Sequence, residues 1–140
     1  MKLLPILLLS CIAIACNTAK KTQTNSHELN GVWIPTKQEM NGKDFPETVY
    51  QNYKLTMADS TYIFGIGKED MGIATYNKGK MDIYGKEGPN KGKHYTAIYK
   101  LEKDILTICY NLAGDAYPAA FETKSKPTLF LTVYKKEGSK

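Results

Sequence analysis

No arginine occurs anywhere in these 140 residues; all nineteen basic side chains are lysines, set against fourteen acids. Paired recognition of phosphate, carboxylate or a guanine edge depends on the planar guanidinium fork. The lysines are also scattered among the acids, with no single basic stripe, so the chain does not read as a nucleic-acid binder. Its formal charge of +5 suits a solvated surface with a mild attraction to anionic headgroups. Histidine is almost absent: His27 and His94 lie far apart and make no metal-ligand spacing. Beyond residue 16 the serines are Ser26, Ser60, Ser125 and Ser139, none in a nucleophile-elbow sequence. Cysteine is scarce too. Cys11 and Cys16 fall in the first sixteen residues, which leaves Cys109 alone in the rest of the chain and no internal disulfide there. Cys109 sits in the apolar run Ile105-Leu-Thr-Ile-Cys-Tyr110, where a buried, inert thiol is the default. Long apolar runs are missing as well: residues 3–14 form the longest, interrupted by Pro5, Ser10 and Cys11. A membrane-spanning helix needs about 20 apolar residues.

That short run has another use. Met1-Lys2 is a positive n-region, residues 3–14 an apolar h-region, and Ala13-Ile14-Ala15-Cys16 resembles a bacterial lipobox. The expectation is a signal peptide at residues 1–15 and an acylated (palmitate-bearing) Cys16 that ties the mature chain to a membrane, in the cell envelope and outside the cytoplasm. Ala13-x-Ala15 also satisfies an ordinary secretory signal, which leaves open whether the thiol carries lipid. Leu8-Leu9-Ser10-Cys11 is a rival site, but it leaves apolar residues 12–14 behind the anchor. Two or three acyl chains, at about 0.8 kcal/mol per buried CH2, anchor stably, whereas one is marginal. Residues 16–28 then read as anchor and flexible tether; the ten residues 17–26, with no apolar side chain larger than Ala19, have an r.m.s. reach of about 17 Å.

Residues 29–136 read as one all-β domain, with 137–140 a tail. Segments rich in β-branched and aromatic residues recur at 32–38, 50–57, 61–66, 71–76, 80–84, 93–101, 105–110 and 128–135, with turn signals between them. Gly67-Lys-Glu-Asp70 reads as one such turn and the glycine-rich 85–92 as another. Gly88-Pro-Asn-Lys-Gly-Lys93 lacks the Gly-Lys-Ser/Thr order of a phosphate loop, and Pro89 removes a backbone donor. No amphipathic helix is apparent. Eight evenly spaced strands suggest an antiparallel up-and-down barrel, which removes exposed edges and encloses side chains or one small ligand. Residues 111–127 are expected to fold over one barrel end, with Tyr117 and Phe121 as apolar contacts.

Gly31-x-Trp33 at the start of the first strand resembles the lipocalin and calycin signature, in which the tryptophan plugs the closed end of the barrel. Further motifs follow in order: Asn41-Gly42-Lys43, Gly88-Pro-Asn-Lys-Gly-Lys93, Ala97-Ile-Tyr99 through Cys109-Tyr110, then Pro118-Ala-Ala-Phe121. Over residues 29–136 this order is similar to a planctomycete-type family of uncharacterised bacterial lipocalin-like domains. The resemblance implies a lipocalin-like barrel with Gly31 and Trp33 as barrel-closing residues, and implies no activity. Two departures stand out. Tyr117 replaces the family's arginine before Pro-x-x-Phe, and only Lys135 or Lys136 is available to cover Trp33 where such barrels stack an arginine.

Ten tyrosines recur along the strands. They either fill the core or line a pocket in which a few hydroxyls orient a mostly apolar ligand; the lining candidates are Tyr62, Phe64, Tyr95, Tyr99, Phe130 and Tyr134. The expected function is binding of a small apolar or amphipathic ligand by a monomeric, membrane-tethered, non-enzymatic barrel with no cofactor and no metal. The alternative is an inhibitor, immunity or envelope-assembly lipoprotein that contacts an envelope protein through the barrel-end loops 85–92 and 112–126. Lipid attachment makes a direct prediction: the chain pellets with membranes, and Cys16→Ser moves it to the soluble fraction. Unchanged fractionation of that variant refutes the anchor.

Overall fold

A computed structural model describes residues 27–140; the expected signal peptide, Cys16 and the expected tether to residue 26 lie outside the described residues. Nine strands form one antiparallel sheet: β1 (Gly31–Met40), β2 (Lys43–Asp44), β3 (Lys54–Ala58), β4 (Thr61–Gly65), β5 (Asp70–Asn77), β6 (Lys80–Glu87), β7 (His94–Glu102), β8 (Ile105–Asn111) and β9 (Leu129–Lys136). Each of β3 to β8 pairs with the next, and β1 pairs with both β3 and β9. The sheet therefore closes as an eight-stranded up-and-down barrel of the lipocalin-like type, with β2 as an extra strand hairpinned onto β1.

The two ends of the barrel differ because their connections differ. At one end, two-residue turns join β3 to β4, β5 to β6 and β7 to β8. Asp59, Lys78, Gly79 and Lys103 take the positive φ such tight hairpins need. A 3-10 turn (His27–Leu29) crosses this end. Leu29 and Trp33 are fully buried there, and the indole N–H donates to the Leu29 carbonyl at 2.8 Å. Lys136 Nζ stands 5.4 Å from the centre of the Trp33 ring, the place the sequence left to a lysine. Asn30 and His27 pin the turn to Asp59 in the β3–β4 hairpin. Glu28 accepts a hydrogen bond from the Tyr99 hydroxyl at 2.9 Å. His27 and Glu28, which the sequence reading gave to the tether, thus belong to the turn that plugs the barrel.

At the other end the connections are long, and the sequence reading needs correction in three places. Residues 50–53 do not belong to the second barrel strand. Tyr50 closes a four-residue helix α1 (Glu47–Tyr50), where its ring is buried and its hydroxyl donates to the Thr36 carbonyl. The β1–β3 ladder has only three pairs, from Gly31 to Trp33. It stops two residues short of Pro35, which brings no N–H to a ladder. A bulge between Pro35 and Lys37 then shifts the register against β9, so Trp33 and Met40 both face the lumen although they are an odd seven positions apart. Released from β3, the far half of β1 turns back at Asn41-Gly42 (φ 51° and 74°) into β2.

The second correction concerns residues 112–128, which do not cap an end. They cross the outer wall as a strap. Tyr117 reaches Asp82 on β6, the Ala116 carbonyl accepts from Thr96 on β7, and Thr123 bonds Glu39 on β1 and the Gly42 N–H. Under the strap, Phe121 joins Ile98, Cys109, Leu129, Leu131 and Val133 in a cluster separate from the lumen core. That cluster explains why both faces of β7 to β9 are apolar. Cys109 is wholly buried in it, and burial pushes its thiol up. Phe121 packs as expected, whereas Tyr117 is largely exposed and uses its hydroxyl instead. Third, Asp70 is no turn residue; it opens β5, buried and facing inward.

Removing the plug should cost more than any surface change. Trp33→Ala is expected to lower stability by about 3–5 kcal/mol, the range for truncating a fully buried large side chain, as a fall in the urea midpoint at unchanged slope. A loss under about 1 kcal/mol contradicts the plug role.

Candidate functional site

Inward-pointing residues alternate along each strand, and near the plug they fill the lumen completely. Leu29, Trp33, Tyr76, Tyr99 and Leu106 all belong to this core, with Tyr76 and Tyr99 edge to face at 5.7 Å between ring centres. Toward the open end the strands are no longer drawn together by tight turns, and a cavity of about 340 Å3 remains. That lies at the small end of the usual ligand-site range of about 300–1,000 Å3. Its floor and walls are apolar: Leu55, Met57, Ala74, Met81, Ile83 and Ile108 deep inside, and Met40, Phe45, Phe64, Leu112 and Phe130 toward the mouth. Phe130 sits between Phe45, edge-on at 6.1 Å, and Tyr110, stacked at 6.0 Å.

Polar groups enter the cavity in two places. Tyr110 and Tyr134 bring their hydroxyls within 3.4 Å of each other. Opposite the apolar wall, Asp70 and Asn90 face the lumen, and Asn90 Nδ2 donates to the carboxylate at 2.8 Å. The Tyr62 hydroxyl donates to the same carboxylate at 3.3 Å, and the Tyr95 hydroxyl donates to Asn90 Oδ1 at 2.8 Å. The Asn90 amide is thereby oriented from both sides.

Three glycines allow this cluster to assemble. A Cβ on Gly85 would lie 1.9 Å from the Asn90 carbonyl oxygen, and one on Gly88 would lie 1.9 Å from that of Glu69. A Cβ on Gly72 would meet the Tyr84 carbonyl oxygen at 2.1 Å and the Tyr62 ring at 2.8 Å. Gly88 also has φ +82°, which favours glycine on its own account. The 88–93 turn can therefore settle onto the start of β5 and carry Asn90 inward, tied by Gly92 N–H to the Gly85 carbonyl and Gly85 N–H to the Lys93 carbonyl.

Of the six lining candidates read from sequence, Tyr62, Phe64, Tyr95, Phe130 and Tyr134 line this cavity. Tyr99 does not: it points inward but lies against the plug, bonded to Glu28. Sequence reasoning missed Asp70, Asn90, Tyr110 and the mouth residues Met40, Phe45 and Leu112. Asp70 was detectable, because Asp70, Gly72, Ala74 and Tyr76 share one parity of β5. Asn90 was not, since a turn residue has no alternation to betray its direction.

A second polar cluster lies outside. Asp82 pairs with His94 Nε2 at 2.8 Å and accepts from the Tyr117 hydroxyl, while the Tyr84 ring stacks on His94 at 4.5 Å and 8°. The Asp82 bond holds the Tyr117 phenol up at about 12. This arrangement clips the strap to β6 and β7. Among the described residues, no three of His, Cys, Asp or Glu gather in a way that could hold a metal ion.

Together, fold and site define a closed eight-stranded antiparallel barrel, plugged at one end and open at the other to an apolar cavity with one buried carboxylate. Compared with protein-family models, with curated proteins and with solved structures, the chain finds no match.

The buried phenols make a titration prediction. Burial first, then the Glu28 bond, raises Tyr99 to about 12; burial raises Tyr134 to about 12 and pushes Tyr110 well up. Burial first, then the Asp70 charge, pushes Tyr62 up. Unfolded tyrosine titrates near 10. Above pH 10 the unfolded chain therefore releases protons that the folded chain keeps, so this contribution to stability is whole below pH 10 and is lost as pH rises toward about 12. Circular dichroism and phenolate absorbance followed together should show these phenols ionising as the barrel unfolds. Full phenolate titration near pH 10 with the barrel intact contradicts the burial.

Proposed function

We propose that this chain is an extracytoplasmic lipoprotein, held to a membrane through Cys16, whose barrel binds a small apolar or amphipathic molecule and performs no reaction on it. The observation that carries this reading is the cavity of about 340 Å3. A barrel built only as a scaffold would be filled with side chains along its whole length, as this one is beside Trp33. An apolar enclosure with a few convergent polar groups is the usual form of a small-molecule site. The cavity phenols of Tyr62, Tyr110 and Tyr134 are pushed up by burial, so near neutral pH they act as hydrogen-bonding hydroxyls. That suits orientation of a ligand better than proton abstraction from it.

His27, the first described residue, lies at the closed end of the barrel, opposite the mouth. A second reading, contact with an envelope protein, is favoured by Val49 and Ile66, which flank the open end at 47% and 63% exposure. The strap lies flat on the outer wall, so this contact would fall to the 41–53 and 66–69 connections.

Native mass spectrometry of the Cys16→Ser chain, purified gently from its own host's envelope, separates the two. A mass excess on the order of a few hundred daltons, the scale such a cavity admits, lost on organic extraction, is the expected result. A bare chain, or one carrying a second polypeptide, overturns the small-ligand reading.

A further inference from the structure

The cavity's only fixed charge is negative. Asp70 is 7% exposed and faces the lumen, and among the described residues it takes part in no ion pair. No lysine or histidine lines the cavity, although the chain carries nineteen lysines. A carboxylate withdrawn from water is costly unless it is paired or well bonded. Asp70 is only partly bonded. The Asn90 Nδ2 contact at 2.8 Å is full strength, whereas the Tyr62 hydroxyl at 3.3 Å and the Asn90 backbone N–H at 3.4 Å are long. A carboxylate offers about four acceptor sites, so capacity remains on the lumen side. The three glycines that bring β4, β5 and the 88–93 turn together make this a built feature, not a side chain that happens to point inward.

We propose that the ligand is a cationic amphiphile: an apolar body that fills the barrel toward Met81 and Ile108, and a protonated amine or similar nitrogen cation held by Asp70. This rests on the small-ligand reading above and narrows it to one chemical class. An anionic amphiphile such as a fatty carboxylate is disfavoured, because its head would enter a dry site beside Asp70 with no cation to meet it. Neutral alcohols lie between, able to donate one hydrogen bond but not to offset the charge.

The test uses the Cys16→Ser chain and the neutral fluorophore N-phenyl-1-naphthylamine, displaced in turn by decylammonium, decanol and decanoate, each below its micelle concentration. Tail and volume are matched, so the order of displacement reads the head alone. Decylammonium is expected to displace the fluorophore at least about tenfold more tightly than decanol or decanoate. Asp70→Asn, which keeps the shape and removes the charge, is expected to abolish that preference while the fluorophore still binds. Decanoate binding as tightly as decylammonium, or a preference unchanged in Asp70→Asn, overturns the cationic assignment and leaves the cavity reading standing, since fluorophore and decanol bind. No binding by the fluorophore or any probe overturns both. If Asp70→Asn does not fold, the wild-type order of the three probes decides alone.

Discussion

The closure of this barrel depends on the double duty of β1. To close the sheet, β1 must pair with β9 on one side and β3 on the other. It pairs with β9 from Trp33 to Met40 but with β3 over only three residues. Pro35 and the bulge beside it are the physical reason, because a residue without an N–H cannot extend a ladder and an extra residue turns the strand. Where β1 holds both neighbours, the barrel is narrow and Trp33 plugs it. Where β1 parts from β3, Met40 and Phe45 join the lining and the lumen stays open. Plug and cavity are two consequences of one interrupted pairing.

The cavity's polarity has a different origin. Glycine at 72, 85 and 88 removes three Cβ atoms that would meet backbone oxygen or a ring, and the space admits Asn90 beside Asp70. Without that approach, Asp70 would face a dry lumen with little besides the Tyr62 hydroxyl, a costly arrangement for a carboxylate. With it, the charge is tolerated but not neutralised. The proposed cationic ligand rests on this unpaired carboxylate.

The strap solves a separate problem. The outer faces of β7, β8 and β9 carry Ile98, Cys109, Leu129, Leu131 and Val133, a patch that would be left to water on a plain barrel. Phe121 covers it, and bonds from Tyr117 to Asp82 and from Thr123 to Glu39 fix the strap at both sides. The Thr123 bond and the Lys37 ion pair hold the Glu39 carboxyl below its usual range. Lys80 over the Tyr117 ring and Lys100 over Phe121 shield the strap's aromatic faces, at 5.0 and 5.4 Å. Tyr117 thus serves the outer wall and not the lumen.

Alternation and turn chemistry are local properties, and they made the eight strands, the antiparallel meander, the inward faces of β4 and β9 and the place of Trp33 readable from sequence. Five aromatic lining positions followed from the same period of two. Three things were decided only by tertiary structure. Tyr99 shares the inward parity of Tyr95, yet one meets the plug and the other the cavity, because depth along a barrel depends on the stagger between strands. The direction of residues 112–128 was hidden because an apolar loop residue fits equally over an end or along a wall; only the pairing of β8 with β9 leaves the outer patch for it to cover. And Asn90 reaches Asp70 across twenty residues of chain through a contact made by absent Cβ atoms, which no pattern of side chains can announce. Local geometry set which residues turn inward; closure of the sheet set which of them meet.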